Sequence, residues 1–389
     1  VYIPKEDYER LIKYKLCKND ILVSVVGTLG NAAIVTEEIL PAIFSCKSTV
    51  IRCTDEIKPN YLLAYLNSEL GSQLLLRRAR GAIQAGLNLD DLKTTLIYLA
   101  DEKLQTFIQQ LVNYSKDILK DSKIIYQQAE ELLLSELNLK DWQPTEENIA
   151  VRSFSSSFLA SWRLDAEYYQ PKYDDLEKTI KSYNGGWDYL GNKFLVETGE
   201  YSEEYVPKSK GLQFYIRNTN IKSSQIESDD DFYVEPKNFT KFTNIGDILT
   251  ARVGAIGSFG TINIDFAGAI YSDNVLCLRI IQPQLFVPDV YTLYFNTKIN
   301  RELMNRFSGG SVQPLITQTN IKNLPIPIFN ILFQNEVNEK IQESFKFKSQ
   351  SKQLLEIAKI GVEKAIESDE TTATNWINEQ LAALGINFL

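Results

Sequence analysis

The chain contains itself twice. The run from Asn19 to Gly30 (NDILVSVVGTLG) aligns with Gly246 to Gly257 (GDILTARVGAIG) at a constant offset of 227 residues. The same offset carries Ala42-Ile43-Phe44-Ser45 onto Ala269-Ile270-Tyr271-Ser272, and Arg52 onto Arg279. A two-residue insertion then moves it to 229, and Pro59, Tyr65, Asn67, Gly81, Gln84 and Lys93 fall on Pro288, Tyr294, Asn296, Gly310, Gln313 and Lys322. That period is far beyond the ~20–50 residues of a solenoid repeat, so the chain is a duplicated half-protein rather than an array.

Each copy predicts the same elements. Asp20 to Val26 is a β-rich run closed by Gly27 and Gly30, followed by short strands at Ala32–Val35 and Ser48–Arg52. Pro59 opens a helix expected to run to about Arg80, with Gly81 as its left-handed cap. An extended segment follows, Leu96–Leu99 in the first copy and Leu324–Ile328 in the second. Short strands mixed with one or two helices make each copy an α+β unit.

A long helical stretch comes after each unit. Leu104, Ile108, Leu111, Ser115, Ile118, Ser122, Ile125, Ala129 and Leu132 alternate steps of four and three. Val337, Ile341, Ser344, Lys348, Ser351, Leu355, Ala358, Val362 and Ala365 do the same. This is a heptad seam in either copy. Two readings follow: separate amphipathic helices on their own domains, or two helices packed on each other as a rod of roughly 33 residues and about 50 Å. Equal placement in both copies favours the second, and a two-fold relation makes the pair antiparallel. The boundaries expected are 1–100 and 151–329 for the α+β units, with 101–150 and 330–389 for the helical segments.

Composition narrows the chemistry. The 389 residues include no histidine, which excludes Ser-His-Asp and Cys-His mechanisms and the commonest zinc nitrogen ligand. Cys17, Cys46, Cys53 and Cys277 form no Cys-x-x-Cys pair, so they read as small apolar residues in a reducing compartment, and no metal site is expected. No apolar run approaches the ~18 residues that would span a bilayer, and no signal-peptide pattern opens the chain, which predicts a soluble, cytoplasmic protein without membrane contact. Net charge is −9, but residues 101–150 and 330–389 alone carry 11 basic against 19 acidic residues. The acid is thus concentrated in the helical segments, and the α+β units stay near neutral, able to present local basic faces.

These features resemble one half, repeated, of a type I restriction-modification specificity subunit. Those that carry the resemblance are the Gly246-Asp247-Ile248-Leu249 strand, Gly310 with Gln313, and Ile321-Lys322 with Ile326-Pro327. Val362-Glu363-Lys364-Ala365-Ile366-Glu367, with Trp376-Ile377 beyond it, resembles the family's C-terminal helix, and Arg163-Leu164-Asp165-Ala166-Glu167-Tyr168-Tyr169 the opening of a half. The resemblance implies an α+β protein with two target-recognition domains, separated by long antiparallel helices acting as a coiled-coil spacer. It implies double-stranded DNA with a bipartite target as ligand, and catalysis by partners: an adenine methyltransferase subunit and a nuclease/translocase subunit. The sequence agrees, having no Asn-Pro-Pro-Tyr-like motif, Walker A loop or dinucleotide fingerprint, so no catalytic residue and no cofactor are expected.

The candidate DNA contacts are of three kinds. Arg77, Arg78 and Arg80 run into a Gly-x-x-Gln element ending at Gln84; Arg301 and Arg306 run into another containing Ser311 and Gln313. Arginine clamps phosphate or reads guanine and glutamine reads adenine, whereas the plain alternative is a set of cations complementing a helix C-terminus. Lys208, Lys210, Arg217, Asn218 and Asn220 interleave with Tyr205, Phe214 and Tyr215, as a groove-facing loop or as an exposed strand with charged edges. Arg252, which has Val25 as its counterpart, either reads one half-site or pairs with Asp247. The glycine pairs Gly27/Gly30 and Gly254/Gly257 are tight turns or phosphate-approach loops.

The first copy has 19 residues before Asp20, whereas the second has about 90 before its equivalent strand, and the chain opens on Val1. The expectation is that residues are missing upstream, or that this is the C-terminal recognition region of a single-chain type IIG restriction-methylation enzyme. A coiled-coil scaffold with protein-binding ends is the remaining alternative.

Overall fold

The computed structural model describes residues 2–81, 86–145, 147, 149–209, 211–228, 232–254, 256–307 and 315–386. They form two compact units: Val1–Lys123 with Ser344–Leu389, and Ile124–Glu343. Each long helix, Glu102–Glu136 and Ile331–Glu367, is shared between the two.

In the first unit Ile21–Ser24 is the central strand of a three-stranded antiparallel sheet, flanked by Ala32–Ile34 and Ser48–Ile51. Its alternation sends Ile21 and Val23 into the core, fully buried. Packed against it are Pro59–Asn67 and Glu69–Leu76, two helices where the sequence predicted one. The break has a cause: Ser68 is extended and its Oγ accepts from Gly71 N, capping a second helix. That helix ends at Leu76, so Gly81, at φ +120°, is not its cap. The expected extended segment Leu96–Leu99 joins no strand ladder among the described residues.

The second unit repeats this frame and adds to it. Ile248–Ala251 lies between Phe259–Thr261 and Val275–Ile280. Phe194–Thr198 and Ser224–Gln225 extend that sheet to five strands, the last pairing parallel. Ile270–Tyr271, Gln213–Ile216 and Tyr233–Val234 make a further three-stranded sheet, and Pro325–Pro327 pairs with Trp187–Tyr189. Pro288–Asn296 and Lys298–Asn305 are again two helices, parted by Thr297 as cap.

What the two units share is a set of buried polar side chains. Asp20 accepts from Cys17 N and from Arg52; Asp247 accepts from Asn244 N and from Arg279, at the same offset. Arg52 also donates to Lys15 O and Arg279 to Phe242 O, so each pair ties a strand to the loop before it. The hydrogen bond to the neighbouring carboxylate raises both guanidinium pKa values above their ordinary range. Asp247 is therefore the partner of Arg279, and the expectation that Arg252 pairs with it does not hold. Asn67 brackets both backbone groups of Ala32, as Asn296 does those of Phe259.

Gln105 and Gln334 complete the set. The Gln105 amide donates to Ala100 O at 2.9 Å and to Glu56 O, and accepts from Lys58 N at 2.9 Å. Gln334 donates to Phe329 O at 2.8 Å and to Leu285 O, and accepts from Val287 N at 2.7 Å. Each pins the start of a long helix to the loop that opens the first short helix of its unit.

Within the first unit the two long helices run antiparallel. Ser115 pairs with Ser351 and Ser122 with Ser344, each hydroxyl donating to the opposite backbone carbonyl. One partner advances by seven residues while the other retreats by seven, which only opposed helices allow. All four serines are buried in the seam, and the offset of 229 turns one pair into the other, so the seam is two-fold symmetric in sequence and in bonding. The seam departs from the strict heptad at two places: Leu133 and Leu354 are fully buried, whereas Leu132 is half-buried and Leu355 exposed. A straight helix of 3.6 residues per turn drifts from a 3.5 repeat by about 20° per heptad, enough to bring the adjacent residue inward.

Replacing Gln105 or Gln334 by alanine leaves a buried backbone N–H without its acceptor and carbonyls without a donor. Each substitution is expected to lower unfolding stability by about 2–4 kcal/mol. Urea titration checks this, and the same substitution at exposed Gln110 should change little.

Candidate nucleic-acid interface

In the second unit one turn gathers three of the predicted residues, Asn218, Arg252 and Arg301. Gly254 and Gly257 both take positive φ, +85° and +89°, as do Gly27 and Gly30 in the first. The Asn218 side chain donates to Val253 O at 3.4 Å, and its amide nitrogen lies 3.8 Å from where a Cβ on Gly254 would stand. On the other flank the stem of Arg301 approaches Gly257 to 3.1 Å of such a Cβ, so a side chain at 257 would displace it. Arg252 precedes the turn, half-buried, with its backbone N bound to Asn274 O and its Nε enclosed without a hydrogen-bond partner among the described residues. The Asn218 amide, the Arg301 stem and the Arg252 backbone thus flank a single glycine turn.

The turn is tied to the long helix. Arg301 donates to Ser223 Oγ at 3.4 Å, and the next residue, Ser224, is hydrogen-bonded to the Tyr126 hydroxyl. Tyr126, Glu130, Ser223, Lys298 and Arg301 line a 380 Å³ cleft. Burial pushes the Tyr126 hydroxyl up to about 12 and raises the Glu130 carboxyl. Tyr126 remains a neutral hydrogen-bonding group across the physiological range.

Other predicted residues are placed elsewhere. Arg306 is nearly buried: Nε donates to Tyr168 O at 3.0 Å, Nη1 to Glu177 at 2.7 Å and Nη2 to Asp174 at 3.4 Å, with the guanidinium 4.7 Å from the Tyr168 ring centre. A phosphate would have to displace two carboxylates to reach it, so here Arg306 fastens Lys298–Asn305 to the Pro171–Lys181 helix. Asn220 is wholly buried, accepting from Arg217 N and donating to Glu227 O, which shapes the loop and leaves nothing for a base. Phe214 and Tyr215, expected as groove-facing aromatics, pack in the core instead, because Gln213–Ile216 is a central strand. The Arg217 guanidinium lies 3.7 Å over the Phe232 ring, and Lys208 Nζ stands 5.9 Å from Tyr233. Tyr205 is exposed at its edge and packs on Tyr215 and Phe232.

In the first unit Arg77 is exposed at the helix end, Arg78 donates to Thr94 Oγ1 at 2.7 Å, and Arg80 pairs with buried Asp91 at 2.8 Å while three-quarters exposed. Gly30 sits under Leu76 where Gly257 sits under Arg301. Gln84, Lys210, Ser311 and Gln313 lie outside the described residues. The reasoning from sequence missed the Asp20/Asp247, Asn67/Asn296 and Gln105/Gln334 frameworks as polar networks. Their signal was the offset itself, since all recur at 227 or 229.

The two arginines after Lys298 should separate in a stability assay. Arg306→Ala is expected to lower unfolding stability by about 2 kcal/mol, its carboxylate partners being partly exposed and able to regain water. Arg301→Ala, at an exposed position, should change it by less than about 0.5 kcal/mol. Thermal melts of both variants read the difference.

Residues 187–360 match the family model described as the type I restriction modification DNA specificity domain. A curated relative, the type I restriction enzyme EcoBI specificity subunit of Escherichia coli, is 28% identical over 166 residues, covering 42% of this chain and 32% of its own length. The match therefore spans about a third of that relative. Among solved structures, the HsdS subunit from Thermoanaerobacter tengcongensis aligns over 91% of this chain and 82% of its own, at 15% identity and a TM-score of 0.33. The S subunit of a type I system from M. genitalium aligns over 96% and 84%, at 15% and 0.37. The family match lies within the second copy. The glycine turn, its flanking arginines and the Asp247–Arg279 frame all lie inside the matched residues, so it is the second copy that is similar to the type I restriction modification DNA specificity domain.

Proposed function

We propose that this protein is the DNA-specificity component of a type I restriction-modification complex and is not itself a catalyst. Each α+β unit reads one half of a bipartite double-stranded target. Partner subunits, an adenine methyltransferase and a nuclease/translocase, perform the chemistry. The observation that carries the reading is the duplication. A specificity domain matched in the second copy recurs in the first down to the bonds of its Asp, Asn and Gln framework, while the residues around the glycine turns differ. One frame with two surfaces is what a split, non-palindromic target requires. In this reading residues 1–100 and 151–329 are the recognition domains, and 101–150 with 330–389 supply the helices that set the distance between half-sites.

Arg301, Arg252 and Asn218 are the contacts proposed for the second half-site, with Arg217 and Lys208 beside them; Arg77, Arg78 and Arg80 are those for the first. Arginine at a turn free of β-carbons suits phosphate or guanine, and asparagine suits adenine. Lys210, Gln84, Ser311 and Gln313 stay in the proposed set on sequence grounds.

The test is DNA binding and methylation by the chain assembled with its methyltransferase. Arg301→Ala as a phosphate contact should weaken binding on all sequences and reduce the slope of log K against log salt by about 0.9. Arg252→Ala or Asn218→Ala as a base contact should cost about 1–3 kcal/mol on the cognate site and relax one base position. Arg306→Ala should leave the slope unchanged. Unchanged affinity and slope in the three turn variants would remove the turn from the interface. Inserting seven residues into both long helices between the serine pairs should lengthen the unread gap and leave both half-sites the same. A changed half-site with an unchanged gap would count against the spacer role.

A further inference from the structure

In the second unit the turn from Lys222 to Gln225 is held in a conformation that its residues do not favour. Ser224 takes φ +81°, the left-handed region that suits glycine and that a residue with a β-carbon enters at a cost. Its side chain is buried and hydrogen-bonded to the Tyr126 hydroxyl of the long helix. On the other side Ser224–Gln225 pairs with Gly260–Thr261, so closely that a Cβ on Gly260 would stand 2.9 Å from the Gln225 backbone. Lys222 N donates to Gln225 O at 3.0 Å and Ile221 bridges Ile226, which closes the turn at its base. Ser224 is thus pinned between a glycine and one tyrosine ring.

The exposed tip of this turn is Ser223, whose Oγ accepts from Arg301 Nη2 at 3.4 Å. Glu130, one helical turn beyond Tyr126, lines the same cleft; burial raises its carboxyl and the Arg301 charge opposes the rise. Among the described residues no ion pair joins Glu130 to Arg301, and Ser223 is the acceptor that the guanidinium finds. The offset of 229 puts Leu355 and Lys359 at the places of Tyr126 and Glu130. The Asp, Asn and Gln framework recurs in both copies, whereas this hydroxyl does not. Tyr126 therefore belongs with the residues that differ between the copies, as those around the glycine turns do.

We propose that Tyr126 is a positioning residue for the second half-site: its hydroxyl holds Ser224 in the left-handed conformation, and Ser223 thereby aims Arg301 at a DNA phosphate. Without that hydroxyl Ser224 relaxes to negative φ, Ser223 leaves its place and the arginine moves among its rotamers. The charge is still present, but the side chain must then be ordered on binding, which weakens the contact without removing it. In this arrangement the helix that separates the half-sites also sets how firmly one of them is held. The inference rests on the reading of Arg301 as a phosphate contact.

The test uses the chain assembled with its methyltransferase and a labelled duplex carrying the site that the complex methylates. Tyr126→Phe keeps the ring and removes only the hydroxyl. It is expected to weaken binding about fivefold, the ordering of one long side chain, and to leave the slope of log K against log salt unchanged. In an Arg301→Ala background the same change should cost less than about a further twofold, because the two act through one contact. Ser223→Ala cuts the link at its other end and should match Tyr126→Phe. Ser224→Gly reaches φ +81° without strain, so added to Tyr126→Phe it should restore binding to within about twofold. A merely structural loss would not be mended by a smaller residue. Amide exchange at residues 223–225 of the unbound complex should quicken in Tyr126→Phe. If Arg301→Ala weakens binding and Tyr126→Phe does not, or if their losses multiply in full, this inference fails and the DNA reading stands. A loss that Ser224→Gly leaves unmended overturns it equally. Unchanged affinity and slope in Arg301→Ala would instead defeat the DNA reading of that arginine, and this inference with it.

Discussion

Each copy is organised by a single buried amide. Gln105 and Gln334 are each the meeting point of a long helix, the segment that enters it and the loop that precedes the short helices. A side chain so enclosed tolerates little movement, because each of its bonds, if broken, strands a backbone group in a dry interior. The orientation of the long helix relative to its sheet is therefore fixed by polar geometry, where apolar contact alone would allow sliding. The Asp–Arg pair does the same for the strand before the glycine turn, and the asparagine bracket for the strand after it. Around each turn the backbone is held from several sides.

That rigidity is what lets the surfaces diverge. Val25 and Arg252 occupy one framework position, and Leu76 and Arg301 pack on corresponding glycines, yet both turns keep their positive φ values. A strand whose hydrogen bonds are fixed by neighbours can change its outward side chain at little cost to stability. Recognition residues on such a frame can be exchanged while the geometry that aims them stays the same. The serine pairs apply this logic to the helices. Four small polar groups bonded reciprocally across the seam disfavour any slip, since a shift by one turn would bury hydroxyls against apolar neighbours.

Much of this was legible in the sequence, and for a physical reason. Duplication exposes framework residues because whatever the fold requires must appear twice, so the strands, the α+β class and the antiparallel seam followed from matched positions. Boundaries were less accessible: Ser68 reads as an ordinary helical residue until its hydroxyl is seen capping Gly71. The candidate site was half legible. Arg301 and Arg306 look alike as cations near a helix end, and only the packing of Tyr168, Asp174 and Glu177 shows that one faces inward. Asn218 and Asn220 are two residues apart, but a 3-10 turn sends one to the glycine turn and buries the other. Tertiary neighbours decide such cases, and they leave no mark at a local spacing.

A chain of net charge −9 cannot rely on overall attraction to a polyanion. Screening limits the reach of any charge to about 8 Å at physiological salt, so only cations close to the phosphates matter, and distant acids repel little. The acidic excess lies mainly in residues 101–150 and 330–389, whereas Arg252 and Arg301 flank the glycine turn of the second unit. Within the second unit Arg301 lies beside Gly257, and in the proposed reading its charge is delivered over a backbone without a side chain to hold DNA away. Affinity concentrated in a few such contacts carries a shallow salt dependence and a large share of sequence information. In the proposed function, an acidic protein built this way gains discrimination by forgoing non-specific adhesion, provided that its turns are held as rigidly as these are.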